Sequence, residues 1–472
     1  MRKINKVINI AIIFTLIGAL LCIIPEISFA NTFLLRIPLL STERRQALIE
    51  SKEAEKELTL LIKQRKALES IQRESKKLTF GDILVNLTKY CDAQCRHCAY
   101  DSLPIPKDGN LLEGNRMSDR TVRKLLGFIN EANPKKLTFT GYGEPFLEFD
   151  KILYLVANAD VSELISIITN AKWAVDAAGT EKYLNELDKI MEQRNKKFNK
   201  PITLVLDVSI DQFHQERIPL DNALNIIWYF NNLKASGRLK YMMLRFQTLA
   251  PGEGLKDTFG ELMGRLNIRG HRFEYEKGIP VRLGLTLDGG FEFFMEMRGL
   301  FFGSQRGEIL AKRLSNYPRR DMIHLMSNYP YKEGGEDNRL DVKIDSEGEL
   351  MPFDQTNKSL SIGNVNKNTV EEIKIRSLAD PVIRAMRERG ISYLWRLAQG
   401  IDPALNEKIR QRKDNDFRNT LRDILGTSEF RLSLARRIIL DYGLAEDRMW
   451  YQLQTQSFQW LVSKILALYK CL

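Results

Sequence analysis

The stretch that decides the fold reads DILVNLTKYCDAQCRHCAY and runs from Asp82 to Tyr100. Its first part is apolar and β-prone, which predicts a buried strand. The part that follows carries Cys91, Cys95 and Cys98. Barrels built from β/α units place their chemistry on loops at the carboxyl ends of their strands. We therefore expect the three thiols to lie in a functional site at the end of a parallel strand.

The spacing Cys-x3-Cys-x2-Cys supplies three thiolates and no fourth thiolate nearby. The chain of 472 residues has five cysteines, and the other two are Cys22 and Cys471. Cysteines this few and this clustered do not indicate a disulfide framework. Three thiolates can hold an iron–sulfur cluster and leave one iron open for chemistry. Structural zinc, which usually has four protein ligands, is an alternative. Only His97 could serve as the fourth ligand, and its position directly before Cys98 is poor geometry for both to bind one metal.

This cysteine spacing resembles the signature of the radical S-adenosylmethionine superfamily. The resemblance implies a [4Fe–4S] cluster on the three thiolates, with the amine and carboxylate of S-adenosylmethionine on the open iron. It also implies an electron donor that reduces the cluster, cleavage of the cofactor to a 5′-deoxyadenosyl radical, and hydrogen abstraction from a substrate. Many members carry an aromatic residue where this chain has His97, a departure that removes no ligand.

A second motif follows the next predicted strand, 136–140. It reads Gly-Tyr-Gly-Glu-Pro over residues 141–145 and resembles the "GGE" loop of the same superfamily. In that loop, backbone groups and a carboxylate receive the methionine ammonium. Glycine lets a backbone approach a ligand closely, and Glu144 offers an acceptor for a cation. The resemblance therefore assigns Gly141, Gly143, Glu144 and Pro145 to the cofactor; an ordinary strand-to-helix turn is the alternative.

Strands and helices alternate beyond this loop, which indicates an α/β fold with a parallel sheet. A helix is expected from Ser118 and Asp119 to Ala132. Residues 80–295 have room for about six units, since eight take about 250 residues. Six is also the number in the partial (β/α)6 barrel that the resemblance implies. Further strands are predicted at 164–169, 203–210 and 241–248, with 272–276 or 281–287 as the sixth, and further helices at 180–196 and 220–236.

Polar residues follow the third to fifth predicted strands, where the resemblance places contacts to the cofactor. Asp211 also suits the capping of a helix. Arg245 lies inside an apolar strand and needs an anionic partner, which the cofactor carboxylate would supply. His214, near the same edge of the sheet, is a candidate for acid–base catalysis or substrate binding. The cofactor-binding candidates in this group are Asn170, Ser209, Asp211 and Arg245.

The N-terminal segment 1–30 predicts a signal peptide or a membrane anchor. A positive start precedes an apolar run from Val7 to Ile24, and small residues follow at the end of the segment. Residues 42–78 predict a long amphipathic helix. Membrane association or export follows as an expectation. Positive charges flank the apolar run on both sides, so they do not fix which face of the membrane the protein lies on, and the cytoplasmic face is one of the two.

Two C-terminal regions complete the organisation. Residues 338–375 predict a hairpin that turns at Ser346-Glu347-Gly348 and resembles the SPASM or twitch extension of radical S-adenosylmethionine maturases. Phe353 stands where a cysteine of an auxiliary cluster would be, so we expect no such cluster. Residues 376–472 predict a basic helical extension.

Charge and composition limit the function classes. The net charge is +11, and 44% of the residues are hydrophobic, which suits a large core. We expect no nucleic-acid partner, because the sequence contains no nucleic-acid-binding motif. The leading interpretation is a radical S-adenosylmethionine enzyme acting on a peptide, a protein or a small molecule. The alternatives are a non-catalytic iron–sulfur or zinc protein that braces a fold or transfers electrons, and a decayed barrel that serves as a membrane-bound scaffold.

Overall fold

The computed structural model describes residues 70–96, 98, 100–249, 258–266, 268–276, 279–287, 292–298, 338–352, 360–405 and 428–441. One compact unit runs from Ile71 to Ile438. Among its described residues, a mixed sheet of eleven strands has the order β11-β10-β9-β1-β2-β3-β4-β5-β8-β7-β6, and these strands do not close into a barrel. The strands are β1 Thr79–Val85, β2 Lys136–Phe139, β3 Leu164–Thr169, β4 Thr203–Ser209, β5 Met242–Leu249, β6 Ile268–Glu276, β7 Ile279–Leu287, β8 Glu292–Arg298, β9 Arg339–Ile344, β10 Glu349–Pro352 and β11 Gly363–Asn364.

The central strands confirm the predicted α/β fold. Strands β1 to β5 are parallel neighbours in chain order, and helices connect them. The helices are α1 Asp119–Ala132, α2 Phe149–Asn158, α3 Ala177–Phe198, the single turn α4 Gln212–Gln215, α5 Leu220–Ala235, α6 Thr258–Arg265, α7 Val370–Ala379, α8 Pro381–Ile401 and α9 Ser428–Asp441.

The first helix begins where the sequence predicts. The Ser118 hydroxyl accepts a hydrogen bond from the Thr121 N–H at 3.2 Å and caps α1. Val122, Leu125, Phe128 and Ile129 form its buried side. The Phe128 ring meets the Phe80 ring of β1 edge-on, with 5.5 Å between the centroids. Apolar spacing along α1 thus fixes the face that packs on the sheet.

The prediction of the sixth parallel strand was wrong. Both candidate segments, 272–276 and 281–287, lie in the antiparallel pair β6–β7. A parallel pair needs a crossover of a dozen or more residues, and only Lys277 and Gly278 separate these two strands. On the side away from β4, the parallel neighbour of β5 is β8, and Arg245 of β5 pairs with Phe294 of β8.

The hairpin predicted within 338–375 is confirmed as β9 and β10, an antiparallel pair. Gly348 in its turn has a φ of +84°, a conformation that glycine adopts at little cost. The hairpin also joins the main sheet, since β9 lies parallel to β1 with Leu84 opposite Lys343. The strand that carries the cysteine loop therefore has neighbours on both sides.

The two sides of the central strands differ in polarity. One side carries fully buried apolar side chains, among them Ile83, Leu137, Ile165 and Leu206. Because side chains alternate along a strand, the other side carries the residues between them. Many of these residues are polar. For example, Thr138 of β2 lies opposite Ser166 of β3, and Asp207 of β4 lies opposite Arg245 of β5. A polar side opposite the helix-packed side provides a surface for a polar ligand.

Several predicted segments lie outside the described residues. They include 1–30, the part of 42–78 before residue 70, Phe353 and the end of 376–472. Of the predicted amphipathic helix, residues 70–75 are described and are helical, and the helix ends there rather than at 78. In the described ranges, none of the helices combines the length and the apolar character needed to cross a membrane. The signal or anchor, the membrane association and the domain boundaries stay predictions.

Candidate metal and cofactor site

The cysteine loop leaves the end of β1 and is anchored by its own backbone. The Cys91 N–H donates to the Leu103 carbonyl at 2.9 Å, and the Cys98 N–H donates to the Cys95 carbonyl at 3.2 Å. Cys95 is buried against Ile218, and Cys91 packs against the same cluster. None of the three thiols is in a disulfide. The loop thus presents three thiols, none of them in a disulfide, at the carboxyl end of the strand.

The donor chemistry of this loop fits a cluster held by three thiolates. Burial and the charge of Glu144 raise the pKa of Cys91 to about 11, so its thiol is protonated when no metal is bound. A metal must displace that proton before the sulfur can bind. In the conformation described, no three cysteine, histidine or carboxylate side chains of the described residues are grouped as a metal site. His97 lies outside those residues.

The glycine loop at 141–145 packs directly on the cysteine loop. The Glu144 N–H donates to the Tyr90 carbonyl at 2.8 Å. A Cβ at Gly143 would lie 2.3 Å from the Tyr90 oxygen and 2.5 Å from the Thr88 oxygen, which no side chain allows. Gly141 has a φ of +120°. Glycine is therefore required for the two predicted loops to meet.

Glu144 is the buried carboxylate of this loop, with 4% of its surface exposed. It accepts hydrogen bonds from the Phe146 N–H at 3.1 Å, the Thr169 hydroxyl at 2.7 Å and the Asn170 N–H at 2.9 Å. Burial raises the pKa of Glu144 to about 7, and the charge of Asp92 adds to the rise, although the hydrogen bonds oppose it. Such a carboxylate is stabilised by a cation.

Asn170 connects this carboxylate to the cysteine loop. Its side-chain amide donates to Asp92 Oδ1 at 2.8 Å and lies 3.7 Å from Cys91 Sγ. The structure thus brings together four residues predicted from the sequence, namely Cys91, Gly143, Glu144 and Asn170. Asp92 is an addition that the sequence analysis missed.

His214 and Asp211 form a second polar group beside Cys95. The Asp211 carboxylate caps α4 by accepting from the N–H groups of Phe213 at 2.9 Å and His214 at 3.2 Å. It also lies 2.6 Å from Nδ1 of His214. Burial lowers the pKa of His214, but the charges of Asp211 and Cys95 outweigh burial and raise it well above its ordinary value. The capping role foreseen for Asp211 is present, and its role toward the cofactor stays a prediction.

Arg245 has an anionic partner within the protein. Its Nη2 donates to Asp207 Oδ2 at 2.5 Å, and Gln247 donates to the same oxygen. Asp207 is 0% exposed and lies directly opposite Arg245 in the register of β4 and β5. Ser209 lies opposite Gln247 in the same pair of strands. Asp207 was missed by the sequence analysis, although an acidic residue inside an apolar strand gives the same signal as Arg245.

Lys343 was also missed. It lies in β9 and is 0% exposed. Its Nζ is 3.9 Å from the ring centroid of Tyr100 and 5.1 Å from that of Tyr142, and cations are attracted to aromatic faces at such distances. Strand β9 thus places a buried cation against Tyr100 of the cysteine loop and Tyr142 of the glycine loop.

Comparisons with known proteins give distant similarities. No family model matches the chain. The putative peptide biosynthesis protein YydG of Bacillus subtilis (strain 168) is 23% identical over 147 residues, which are 31% of this chain and 40% of YydG. The chain thus spans less than half the length of this curated relative.

Two solved structures are similar at lower levels. The first, a histidine-tagged form of anSMEcpe with bound AdoMet, has a TM-score of 0.33 and 14% identity over 62% of this chain and 77% of the other. The second, Streptococcus suis SuiB, has a TM-score of 0.25 and 12% identity over 58% of this chain and 61% of the other. These TM-scores are too low to support a fold assignment, so the fold is assigned from the strand order alone.

The three-cysteine motif lies on the loop after the first parallel strand, and the glycine loop after the second strand packs on it. These two features carry the resemblance of the chain to the radical S-adenosylmethionine superfamily, and the sequence match to YydG is a distant one.

Proposed function

We propose that the protein is an enzyme that cleaves S-adenosylmethionine reductively and abstracts a hydrogen atom from a peptide or protein substrate. Cys91, Cys95 and Cys98 would hold a [4Fe–4S] cluster. The observation that carries the proposal is Glu144, a carboxylate buried beside the cysteine loop with a pKa raised to about 7. A buried carboxylate of this kind is complementary to a cationic ligand.

The chain's own residues would bind and orient the cofactor. The cluster, when bound and reduced, supplies the electron that cleaves the sulfonium. Gly141 and Gly143 would shape the pocket for the methionine end of the cofactor, and Glu144 would accept a hydrogen bond from its ammonium. Two of the four acceptor positions of that carboxylate are used on Oε1 and one on Oε2, which leaves capacity for one further donor.

Anaerobic reconstitution tests the activity. With iron, sulfide, S-adenosylmethionine and dithionite, we expect about four iron atoms per chain, as a [4Fe–4S] cluster requires, and release of 5′-deoxyadenosine. Serine in place of Cys91, Cys95 or Cys98 should abolish both, whereas Cys471→Ser is the matched control and should retain both. Tight binding of zinc with no iron–sulfur spectrum would contradict the proposal and favour a structural metal site.

A peptide substrate is favoured by the name of the B. subtilis relative, which refers to peptide biosynthesis. Isotope transfer tests this assignment. Extracts of cells grown on deuterated amino acids are divided into peptides and small metabolites, and each fraction is offered to the reconstituted enzyme. We expect deuterium in 5′-deoxyadenosine from the peptide fraction. Transfer from the small-metabolite fraction alone would contradict a peptide substrate.

A further inference from the structure

Asn86 is a buried polar side chain that has no hydrogen-bond partner among the residues that the structure describes. It is 2% exposed, and both its Nδ2 and its Oδ1 are unbonded. A buried amide in this state loses its hydrogen bonds to water and gains none in return, which destabilises the fold. Such a group requires an explanation other than packing.

Asn195 shows what a structural asparagine looks like in this protein. It is similarly buried, but its Nδ2 donates to the Ile202 carbonyl at 3.1 Å, and its Oδ1 accepts from the Ile202 N–H at 3.2 Å. Its amide thus fixes the turn after α3. Asn86 makes no comparable contact, so its amide is available to a ligand.

The position of Asn86 places that amide at the glycine loop. Asn86 directly follows β1, and its N–H donates to the Ile344 carbonyl of β9 at 2.8 Å. The ideal Cβ position at Gly141 lies 1.5 Å from Oδ1 and 2.8 Å from Nδ2 of Asn86. The Asn86 amide therefore occupies the space that a side chain at residue 141 would fill.

The surrounding groups define the kind of ligand. Glu144 lies three residues after Gly141 in the glycine loop and interacts with Asp92 of the cysteine loop, and two neighbouring acidic groups favour a cation. The Asn86 amide offers a carbonyl oxygen that accepts and an NH2 group that donates. An α-amino acid carries an ammonium and a carboxylate on one carbon, which matches this pair of functions.

We propose that Asn86 is a positioning residue for the amino-acid end of S-adenosylmethionine, an inference that rests on the proposed function. Oδ1 accepts from the ammonium, and Nδ2 donates to the carboxylate. The glycine at residue 141 is then needed for a second reason, since any side chain there would displace the amide. Ligand binding satisfies a group that is unsatisfied in the free protein.

Two leucine variants of the full-length, cluster-loaded protein test the proposal. Asn86→Leu removes an unsatisfied amide and keeps the γ-branched shape, so the urea midpoint without ligand should be unchanged or higher. Its affinity for S-adenosylmethionine, measured by anaerobic equilibrium dialysis, should fall at least tenfold. The matched Asn195→Leu variant removes satisfied hydrogen bonds, so its urea midpoint should fall while its affinity stays within twofold of the wild type.

A truncated ligand makes the test specific to the carboxylate contact. Decarboxylated S-adenosylmethionine lacks the partner of Nδ2, so the loss caused by Asn86→Leu should be several-fold smaller with it than with the intact cofactor. Equal losses with both ligands would overturn the carboxylate contact, and wild-type affinity in Asn86→Leu would overturn the proposal. If the leucine variant fails to fold, Asn86→Ala is measured by the same criteria. Failure of the wild type to bind S-adenosylmethionine would instead refute the proposed function.

Discussion

The carboxylate of Glu144 accepts a hydrogen bond from the backbone N–H of Asn170 at 2.9 Å, which joins the loop after β2 to the end of β3. The Asn170 side chain continues the connection to Asp92 on the cysteine loop. Three loops from three parallel strands thus meet at one buried acidic group. The protonation state of Glu144 is therefore linked both to stability and to ligand binding.

Glu144 should make the ligand-free protein less stable at alkaline pH. Its pKa is raised from 4.5 to about 7 in the folded state, so the folded protein binds this proton more tightly than the unfolded chain. The resulting stabilisation is complete below pH 4.5 and is lost as the pH rises through 7. Between pH 5 and pH 8 the loss amounts to about 2.5 kcal/mol.

Urea unfolding of the wild type and of Glu144→Gln measures this contribution. The free energy of unfolding of the wild type should fall between pH 5 and pH 8 by about 2.5 kcal/mol more than that of the variant. Glutamine at residue 144 leaves one N–H donor without its carboxylate acceptor, which lowers the free energy of unfolding by the same amount at every pH. Comparing the two pH dependences removes this constant difference. Parallel pH profiles would show that Glu144 does not titrate in this range.

Gly143→Ala should separate the glycine loop from the cysteine loop. The added Cβ would lie 2.3 Å from the Tyr90 oxygen, and backbone atoms on both sides leave it no room. The hydrogen bond from the Glu144 N–H to that same oxygen must then lengthen or break. We expect the affinity for S-adenosylmethionine to fall at least tenfold in equilibrium dialysis.

Gly127→Ala is the matched control for this substitution. A Cβ at Gly127 meets nothing within 4 Å, and the residue lies inside α1. Alanine should stabilise the helix by about 0.5–1 kcal/mol and leave the affinity unchanged. Equal affinities for the two alanine variants would contradict a role for the close approach at Gly143.

The pair formed by Asp207 and Arg245 should be strongly coupled. Asp207 is fully buried, and Arg245 donates to it at 2.5 Å. Removal of one partner leaves a buried charge without its counter-charge, which costs about 3 kcal/mol or more. The single variants Asp207→Asn and Arg245→Gln should each be destabilised by about that amount, and the double variant by less than the sum of the two.

Cofactor affinity separates the two roles of Arg245. If the guanidinium contacts the cofactor carboxylate, as the sequence predicts, Arg245→Gln should weaken binding of S-adenosylmethionine more than that of the decarboxylated ligand. If it serves the fold alone, both ligands should lose affinity equally. Fluorescence-monitored urea unfolding gives the stabilities on the same samples.

Local signals were sufficient to predict the central strands and the start of α1. Ser118 caps its helix. The ends of β3 and β4 that the apolar runs predict agree with the observed ends to within one residue. These features depend on neighbours in the sequence, so a single sequence contains the information.

Contacts across the sheet could not be predicted in this way. Strands β6 and β7 are as β-prone as β8, and only pairing direction distinguishes them. Lys343 reaches Tyr100 and Tyr142 because β9 pairs with β1. About 255 residues separate those two strands in the chain, and sequence patterns do not show which residues pair over such a separation. Asp207 is an intermediate case, because two opposite charges inside neighbouring strands could have been paired from the sequence.

The C-terminal hairpin should unfold together with the core rather than by itself. Val342 in β9 is fully buried and pairs with Ile83 of β1, and Asp341 accepts from the Asp82 N–H at 2.8 Å. Val342→Ala removes apolar contacts at this seam and should cost about 2 kcal/mol. Since β9 and β1 belong to one sheet, we expect global unfolding to carry the loss.

Native-state hydrogen exchange distinguishes unfolding of the hairpin together with the core from unfolding of the hairpin by itself. In Val342→Ala the slowest amides of β2 and β3, such as those of Leu137 and Ile165, should exchange about 30-fold faster, as a loss of about 2 kcal/mol implies. Trp228→Ser provides the control, since Trp228 is 63% exposed and its removal should leave those amides unchanged. Faster exchange confined to β9 and β10 would mean that the hairpin is an independent unit and that the core needs no strand from it.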